Sequence, residues 1–193
     1  MRSSKSLKFL FPLIVALVLS FDVPKGWQKA GSAPGKYDMG LDFGMGRTSK
    51  YAATIQSNTY DFGMSQFGTL MQSFSPDKYV GKRIKMTGFM KSQNVRNWAG
   101  FWLRVDGKKQ NKSLSFDNMF DRPVTGTTTW RQYEIILDVP KGATNIAFGA
   151  LLDGVGKIWF DDIRFEEVSS TTATTGKDSK TKKEAPENLD FEE

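Results

Sequence analysis

Alternation of apolar and other residues with a period of two is the feature that most constrains the fold of this chain. In the segment Arg83–Lys91, Ile84, Met86 and Met90 alternate with charged and hydroxyl residues, and the segment Trp98–Asp106 alternates in the same way. A period of two places successive side chains on opposite faces of a β-strand. No segment after the first twenty residues carries a helical period of ordinary length. The chain is therefore predicted to be all-β.

Short runs of β-forming residues, separated by Gly, Pro, Asn and Asp, are predicted to be the strands. In chain order they are Tyr37–Phe43, Tyr51–Ser57, Phe67–Phe74, Arg83–Lys91, Trp98–Asp106, Lys112–Asp117, Gln132–Asp138, Asn145–Leu152 and Lys157–Glu166. About nine short strands with turns between them favour an antiparallel β-sandwich, most simply a jelly roll.

The two ends of the sequence differ in composition from its middle. Arg2, Lys5 and Lys8 precede the apolar run Phe9–Leu19, a pattern typical of a secretory signal peptide and short for a membrane span. The end of the chain is polar and of low complexity, which is typical of disorder. The predicted divisions are residues 1–20 as signal peptide, 21–168 as β-sandwich domain and 169–193 as disordered tail. The expected location is outside the cell or at its surface, and the membrane would be a partner only if the N-terminal segment stays uncleaved.

The composition excludes several classes of functional site. The chain has no Cys and no His, which excludes zinc fingers, thiolate nucleophiles, Ser-His-Asp triads and His-ligated metals. Its formal net charge of +6 falls to +3 without the three basic residues of the first twenty. Because the remaining charges are interspersed along the chain, no nucleic-acid partner is predicted. A monomer is expected.

Several segments resemble a known type of module. They are Gly26-Trp27, Trp98–Asp106, Leu114–Met119, Arg122-Pro123 and the closing stretch Trp159–Glu166. Together they resemble a bacterial jelly-roll module of the carbohydrate-binding, galactose-binding-like type. Such modules are similar to the C-terminal module of some AraC-type transcription regulators and of some exported proteins. The resemblance covers residues 21–168 and implies a polysaccharide or glycan as partner.

The tail carries a further pattern, because Asn188-Leu189-Asp190-Phe191-Glu192 resembles the opening strand of such modules. Three interpretations stay open for it. The pattern fits chance in a segment of biased composition, the start of a truncated second module, or a strand that adds to a sheet edge.

The first candidate ligand-binding residues share one face of a strand. By their spacing, Trp102, Arg104 and Asp106 point the same way. An indole offers a surface on which sugar C–H groups stack, and a guanidinium offers hydrogen bonds to hydroxyls. The alternative is that Trp102 belongs to the core and Arg104 is an ordinary surface charge, and the sequence weighs the two equally.

Four further polar residues are candidates for the same site. Asp117, Asn118 and Arg122 combine a carboxylate, an amide and a guanidinium, which suits hydroxyl groups. Turn chemistry explains the same residues slightly better, because Asp and Asn favour turns. Gln72 stands in an apolar strand, where a buried amide needs a hydrogen-bonding partner.

The function predicted from these residues is a secreted, non-catalytic sandwich that binds carbohydrate without a cofactor. One alternative is a structural or interaction module with no small ligand, and another is a glycoside-active enzyme with two carboxylates. Asp161-Asp162 fits structural calcium or an acidic pair on an edge strand. The second interpretation is favoured, because the sequence lacks a D-x-D-x-D loop.

Overall fold

A computed structural model of the chain describes residues 21–60, 66–108 and 113–176. Nine β-strands and one short 3-10 helix (Pro34–Lys36) account for its regular structure. The strands are β1 (Gln28–Gly31), β2 (Tyr37–Phe43), β3 (Tyr51–Ser57), β4 (Phe67–Phe74), β5 (Arg83–Gly107), β6 (Ser113–Asp117), β7 (Val124–Asp138), β8 (Ala143–Asp153) and β9 (Lys157–Val168). No helix among the described residues is long and apolar enough to cross a membrane.

Strand β5 is the centre of the architecture, because its two halves belong to different layers. Residues of its first half, such as Met86, pair with β7 on one side and β9 on the other. Residues of its second half, such as Arg104, pair with β8 on one side and β6 on the other. We call the layer β1-β4-β8-β5-β6 sheet I and the layer β7-β5-β9-β3-β2 sheet II. All pairings are antiparallel, and register shifts between Met90 and Ala99 mark the bend from one layer to the other.

The main core lies between the two sheets. Sheet I contributes Phe101 and Leu103, and sheet II contributes Ile84, Met86 and Met90, all of which are fully buried. The alternation in the sequence therefore predicts the inward face of both halves of β5 correctly.

The predicted all-β sandwich of about nine strands is confirmed. The bounds of β2, β3 and β4 match the sequence prediction, while two predicted strands merge into the single long β5. Strand β1 was missed because it is only four residues long and half of it is polar. The first half of β7 was missed because its Thr- and Gly-rich residues show no apolar alternation, and Gly126 has a φ of 66°.

The ordered chain continues past β9 as a segment, Ser169–Gly176, that we call the strap. The Thr175 N–H donates to the carbonyl oxygen of Ile136 at 3.0 Å, and its hydroxyl oxygen accepts the Ile136 N–H at 2.9 Å. The Arg83 guanidinium donates to two carbonyl oxygens of the strap. The sequence prediction placed residues 169–176 in the disordered tail, whereas these hydrogen bonds hold the strap against β5 and β7. The predicted signal peptide (1–20) and the Asn188–Glu192 pattern lie outside the described residues.

Candidate functional site

The outward face of sheet I carries a shallow groove lined mainly by apolar and aromatic side chains. Small residues of β8 stand opposite large residues of β5, since Gly149 pairs with Trp102 and Ala147 pairs with Arg104. This pairing leaves open space above β8, where a cavity of about 350 Å³ lies. We call it the aromatic groove, and its principal lining residues are Phe67, Thr69, Met71, Trp98, Trp102, Arg104, Phe116, Asn118 and Leu151.

Trp102 forms the floor of the aromatic groove. It lies on the face opposite Phe101 and Leu103, yet its side chain is only 7% exposed. It packs in a second apolar cluster with Ala147 and Leu151, apart from the main core. Its indole N–H donates to the Thr69 hydroxyl at 2.8 Å. The ring therefore faces outward, as the alternation predicts, and is also buried, while a role of Trp102 in ligand binding stays a prediction.

Aromatic side chains continue from this floor to the rim of the groove. Trp98 packs against the Trp102 cluster and meets Phe120 edge to face, with ring centroids 5.5 Å apart. Phe120 is 58% exposed, and Phe116 is also exposed. The rim thus presents aromatic surface to solvent, which a buried indole alone would not provide.

Arg104 places a positively charged donor opposite Phe116, at the end of the groove away from Trp98. Its Nε lies 2.8 Å from Asp106 Oδ1 and its Nη2 lies 3.2 Å from Asp106 Oδ2. Asn145 donates to the same Asp106 Oδ2 at 3.0 Å. The carboxylate therefore orients the guanidinium, which keeps further N–H groups for another acceptor. The Arg104 side chain is 45% exposed, so these donors are accessible.

Asp117 and Arg122 form a structural ion pair next to the groove. Asp117 pairs with Leu103, so its carboxylate lies on the core side of sheet I and is buried. Arg122 Nη2 donates to Asp117 Oδ2 at 2.6 Å, and the Thr175 hydroxyl of the strap donates to the same oxygen at 2.5 Å. Burial lowers the pKa of Arg122, but hydrogen bonds to Asp117 and Asp121 and the charges of these two carboxylates together more than offset this, so the pKa lies above its ordinary value.

The turn after β6 uses both of its Asx side chains. Asp117 Oδ1 accepts the N–H of Met119 at 2.8 Å, and Asn118 Oδ1 accepts the N–H of Phe120 at 3.2 Å. The turn chemistry that the sequence favoured is therefore present. Asn118 also lines the aromatic groove, so this amide serves the turn and borders the site.

Gln72 lies on the other face of sheet I. In β4 it alternates with Thr69 and Met71, which line the groove, and shares the face of Leu70, which lies in the main core. Of the six predicted site residues, the structure brings Trp102, Arg104 and Asn118 together and leaves Gln72, Asp117 and Arg122 apart from them. Their role in binding stays a prediction.

Sequence reasoning missed part of the groove. Trp98 shares the outward face of Trp102 by simple alternation, so that signal was present in the sequence. Phe67 and Phe116 reach the aromatic groove because β4 pairs with β8 and β6 pairs with β5. Alternation within a single strand does not show these pairings.

The acidic pair Asp161-Asp162 is bound to the loop between β2 and β3. Arg47 Nε lies 2.7 Å from Asp162 Oδ2, and the Arg47 backbone N–H donates to Asp161 Oδ2 at 3.0 Å. Among the described residues, no group of three or more acidic side chains is placed to hold a metal ion. The two carboxylates face donors of the protein, which is the arrangement that an acidic surface pair would show.

No family model matches the chain. The chain is 40% identical over 171 residues to an uncharacterized HTH-type transcriptional regulator, YbfP, of Bacillus subtilis (strain 168). The alignment covers 88% of this chain and 57% of that relative, so the chain spans little more than half of the relative's length. The name specifies a helix-turn-helix regulator and not the AraC type, so the likeness to AraC-type regulators in particular stays a prediction.

Two solved structures show the same architecture. One is the CBM22-1 xylan-binding domain of Xyn10C from Paenibacillus barcinonensis, with a TM-score of 0.54 and 10% identity over 78% of this chain and 91% of that one. The other is the C-terminal family 22 carbohydrate-binding module of Xyn10B from Clostridium thermocellum, with a TM-score of 0.52 and 10% identity over 75% of this chain and 86% of that one. At this identity the likeness concerns the fold alone. The chain therefore has the antiparallel jelly-roll fold that carbohydrate-binding modules have.

Proposed function

We propose that this chain is a non-catalytic carbohydrate-binding β-sandwich, and that the aromatic groove on sheet I holds the glycan. The observation that carries the proposal is one outward face that combines the rings of Trp98, Trp102 and Phe116 with an oriented guanidinium. Phe120 packs on Trp98 at one end of the groove, and Arg104 lies opposite Phe116 at the other. Aromatic rings stack on the C–H faces of sugars, while charged and amide groups bind their hydroxyls. The solved structures with this fold, which are named as carbohydrate-binding modules, support the same function.

Different residues of the groove provide the stacking surface and the hydrogen bonds. Trp102 is too buried to serve as an exposed stacking plate, so it forms an apolar floor. Trp98 and Phe120 supply the stacking surface at the rim, and Arg104 with Asn118 supplies the hydrogen bonds. A mostly apolar lining with few polar groups is the usual form of a small-ligand site.

A glycan array on the full chain, followed by calorimetric titration of the best ligand, tests the proposal. Phe120→Ala should weaken binding by about threefold to tenfold, because a ring contact contributes about 0.5–1.5 kcal/mol. Phe43→Ala is the matched control. Phe43 is 70% exposed and meets Tyr51 edge to face at 5.3 Å, but it belongs to β2 in sheet II.

Arg104→Ala should weaken the same binding by about tenfold or more, since hydrogen bonds to charged groups contribute about 1.5–3 kcal/mol. The proposal fails if no glycan binds. It also fails if Phe43→Ala weakens binding as much as Phe120→Ala does.

We further propose that the protein acts outside the cytoplasm, on the basis of the basic residues that precede the apolar run in residues 1–20. In a bacterial host, the exported protein should begin near Phe21, as N-terminal sequencing would show. Cytoplasmic protein with Met1 intact would contradict this part of the proposal.

A further inference from the structure

A second cavity lies at the end of the sandwich where the turn between β8 and β9 meets the bend in β5. Its volume is about 600 Å³, larger than that of the aromatic groove. Its polar lining comes from three distant parts of the chain. We call it the polar cleft and define it by Gln56, Tyr60, Gln93, Asn94, Arg96 and Lys157.

The floor of the polar cleft is a row of side chains across the outward face of sheet II. Lys157 of β9 pairs with Gln56 of β3 on one side and with Gln93 of β5 on the other. Lys157 therefore lies between two glutamines in the strand register, all on the face opposite the core residue Ile158, while its ammonium group bonds to Asp42. Amides both donate and accept hydrogen bonds, so Gln56 and Gln93 suit hydroxyl groups.

Backbone contacts fix the walls of the polar cleft. The Arg96 N–H donates to the Val155 carbonyl at 2.9 Å, and the Ser57 N–H donates to the Gly156 carbonyl at 3.0 Å. A β-carbon on Gly156 would lie 2.7 Å from the Val95 α-carbon, so only glycine allows this approach. The three segments are thus held together before any ligand arrives, which lowers the ordering cost of binding.

Positive charge exceeds negative charge around the cleft. Lys157 Nζ lies 2.9 Å from Asp42 Oδ2 and 4.6 Å from the centroid of the Trp159 ring, and Lys91 Nζ lies 4.7 Å from the same ring. The described residues that line the cleft include two cations, Lys157 and Arg96, and no carboxylate. Burial lowers the pKa of Lys91 and the charge of Lys157 adds to that effect, although Asp42 opposes it.

An exposed aromatic ring completes the cleft. Tyr60 is 82% exposed, and the guanidinium carbon of Arg96 lies 6.0 Å from its ring centroid. A ring at the mouth, amides on the floor and the guanidinium of Arg96 at the wall together match a sugar unit that bears a negative charge.

We propose that the polar cleft is a second binding site, distinct from the aromatic groove, and that it takes the carboxylate-bearing sugar unit of an acidic glycan. The carboxylate pairs with the guanidinium of Arg96, and the ring hydroxyls bond to Gln56 and Gln93. The three amides favour a sugar over a bare inorganic anion, which would use the cations alone.

Calorimetric titration of the full chain with trigalacturonate at low salt tests this site. Binding should be saturable. The neutral methyl ester of trigalacturonate should bind about tenfold more weakly or not at all, because the charge-assisted hydrogen bonds of the carboxylate are lost. Sodium sulfate at the same ionic strength should not compete. Sulfate that competes fully would overturn the proposal in favour of a simple anion site.

Variants separate the polar cleft from general charge attraction and from the groove. Arg96→Gln should weaken trigalacturonate binding by about fivefold or more, and Gln93→Ala should weaken it without any change in charge. Arg131→Gln removes the same charge from an exposed position of β7 that does not line the cleft, and it should bind normally. Phe120→Ala should also bind trigalacturonate normally, because Phe120 packs on Trp98 of the aromatic groove and does not line the polar cleft.

The proposal is overturned if trigalacturonate does not bind, if its ester binds equally well, or if Arg131→Gln weakens binding as much as Arg96→Gln does. Loss of trigalacturonate binding in Phe120→Ala would show that the acidic sugar occupies the groove instead. Because Gln93 is exposed, Gln93→Ala keeps the test valid even if the arginine variant folds poorly.

Discussion

Replacing Trp102 with alanine removes an indole that extends from β5 across Gly149 of β8 to Thr69 of β4, on the outward face of sheet I. An indole buries on the order of 200 Å², and at about 25 cal/mol per Å² this area corresponds to about 5 kcal/mol as an upper bound. The groove opens to solvent, so water can fill part of the space left by the ring, and the cost of an empty cavity is reduced. We therefore expect the free energy of unfolding to fall by about 3 to 4 kcal/mol.

The hydrogen bond of the indole adds little to this value. When the Trp102 N–H is removed, Thr69 loses a donor, but its hydroxyl still donates to the Ala150 carbonyl at 2.7 Å. Trp102→Phe keeps most of the ring and loses the N–H, so it should cost about 1 to 2 kcal/mol. The difference in the free energy of unfolding between Trp102→Ala and Trp102→Phe measures the contribution of the packed ring.

Urea denaturation followed by far-UV circular dichroism is the suitable assay, because replacing Trp102 also removes its own fluorescence. Phe43→Ala serves as the control, since that exposed ring lies outside the Trp102 cluster and should change stability by less than about 1 kcal/mol. A cost below about 1 kcal/mol for Trp102→Ala would refute the packing described for the ring. An equal cost for both Trp102 variants would refute the view that ring area carries the stability.

Three further predictions follow from other contacts. A chain that ends at Val168 should melt about 5 °C lower than one that ends at Gly176, because it loses the hydrogen bonds of the strap, and equal melting temperatures in calorimetry would contradict this. Burial raises the pKa of Asp42, but hydrogen bonds from an ammonium and an indole lower it more, so the folded-state pKa lies below the ordinary value. The stabilisation by this carboxylate is therefore present at neutral pH and is lost as the pH falls through that pKa, below about pH 4. Asp42→Asn should show a smaller loss of stability between pH 6 and pH 3 in urea titrations, and an unchanged loss would exclude this carboxylate as a cause. Asp117→Asn should lower the free energy of unfolding by about 2 to 3 kcal/mol, because the partly buried Arg122 loses the more buried of its two carboxylate partners and keeps only Asp121, whereas no change in the urea midpoint would show that the pair contributes nothing.

Alternation within single strands predicted the parts of this fold that depend on one strand at a time. It placed Trp102 and Arg104 on one face and Phe101 and Leu103 on the other, as the structure has them. The same alternation also places Gln72 on the inward face that it shares with Leu70. The sequence does not show the pairing between the strands, which places Gln72 on the face of sheet I opposite Trp102 and Arg104.

The remaining features depend on contacts between distant segments. The polar cleft joins the end of β3, the bend of β5 and the turn before β9, which are adjacent only once both sheets have formed. Composition could not reveal the strap. It shows only that the segment lacks large apolar side chains, whereas hydrogen bonds hold Thr175 in place. Asp117 belongs to the ion pair because β6 pairs with β5 in the register that sets it opposite Leu103.

The shared strand β5 also determines when this protein can fold during its synthesis. All four partners of β5, namely β6, β7, β8 and β9, follow it in the sequence. Strand β8 joins β4 to β5 in sheet I, and β9 joins β3 to β5 in sheet II. A nascent chain that has left the ribosome only as far as β7 can form the pairs β1-β4, β2-β3, β5-β6 and β5-β7, but it can complete neither sheet until the last hairpin arrives. Such long-range pairing implies folding in milliseconds to seconds, with the greatest risk of aggregation before β8 and β9 emerge.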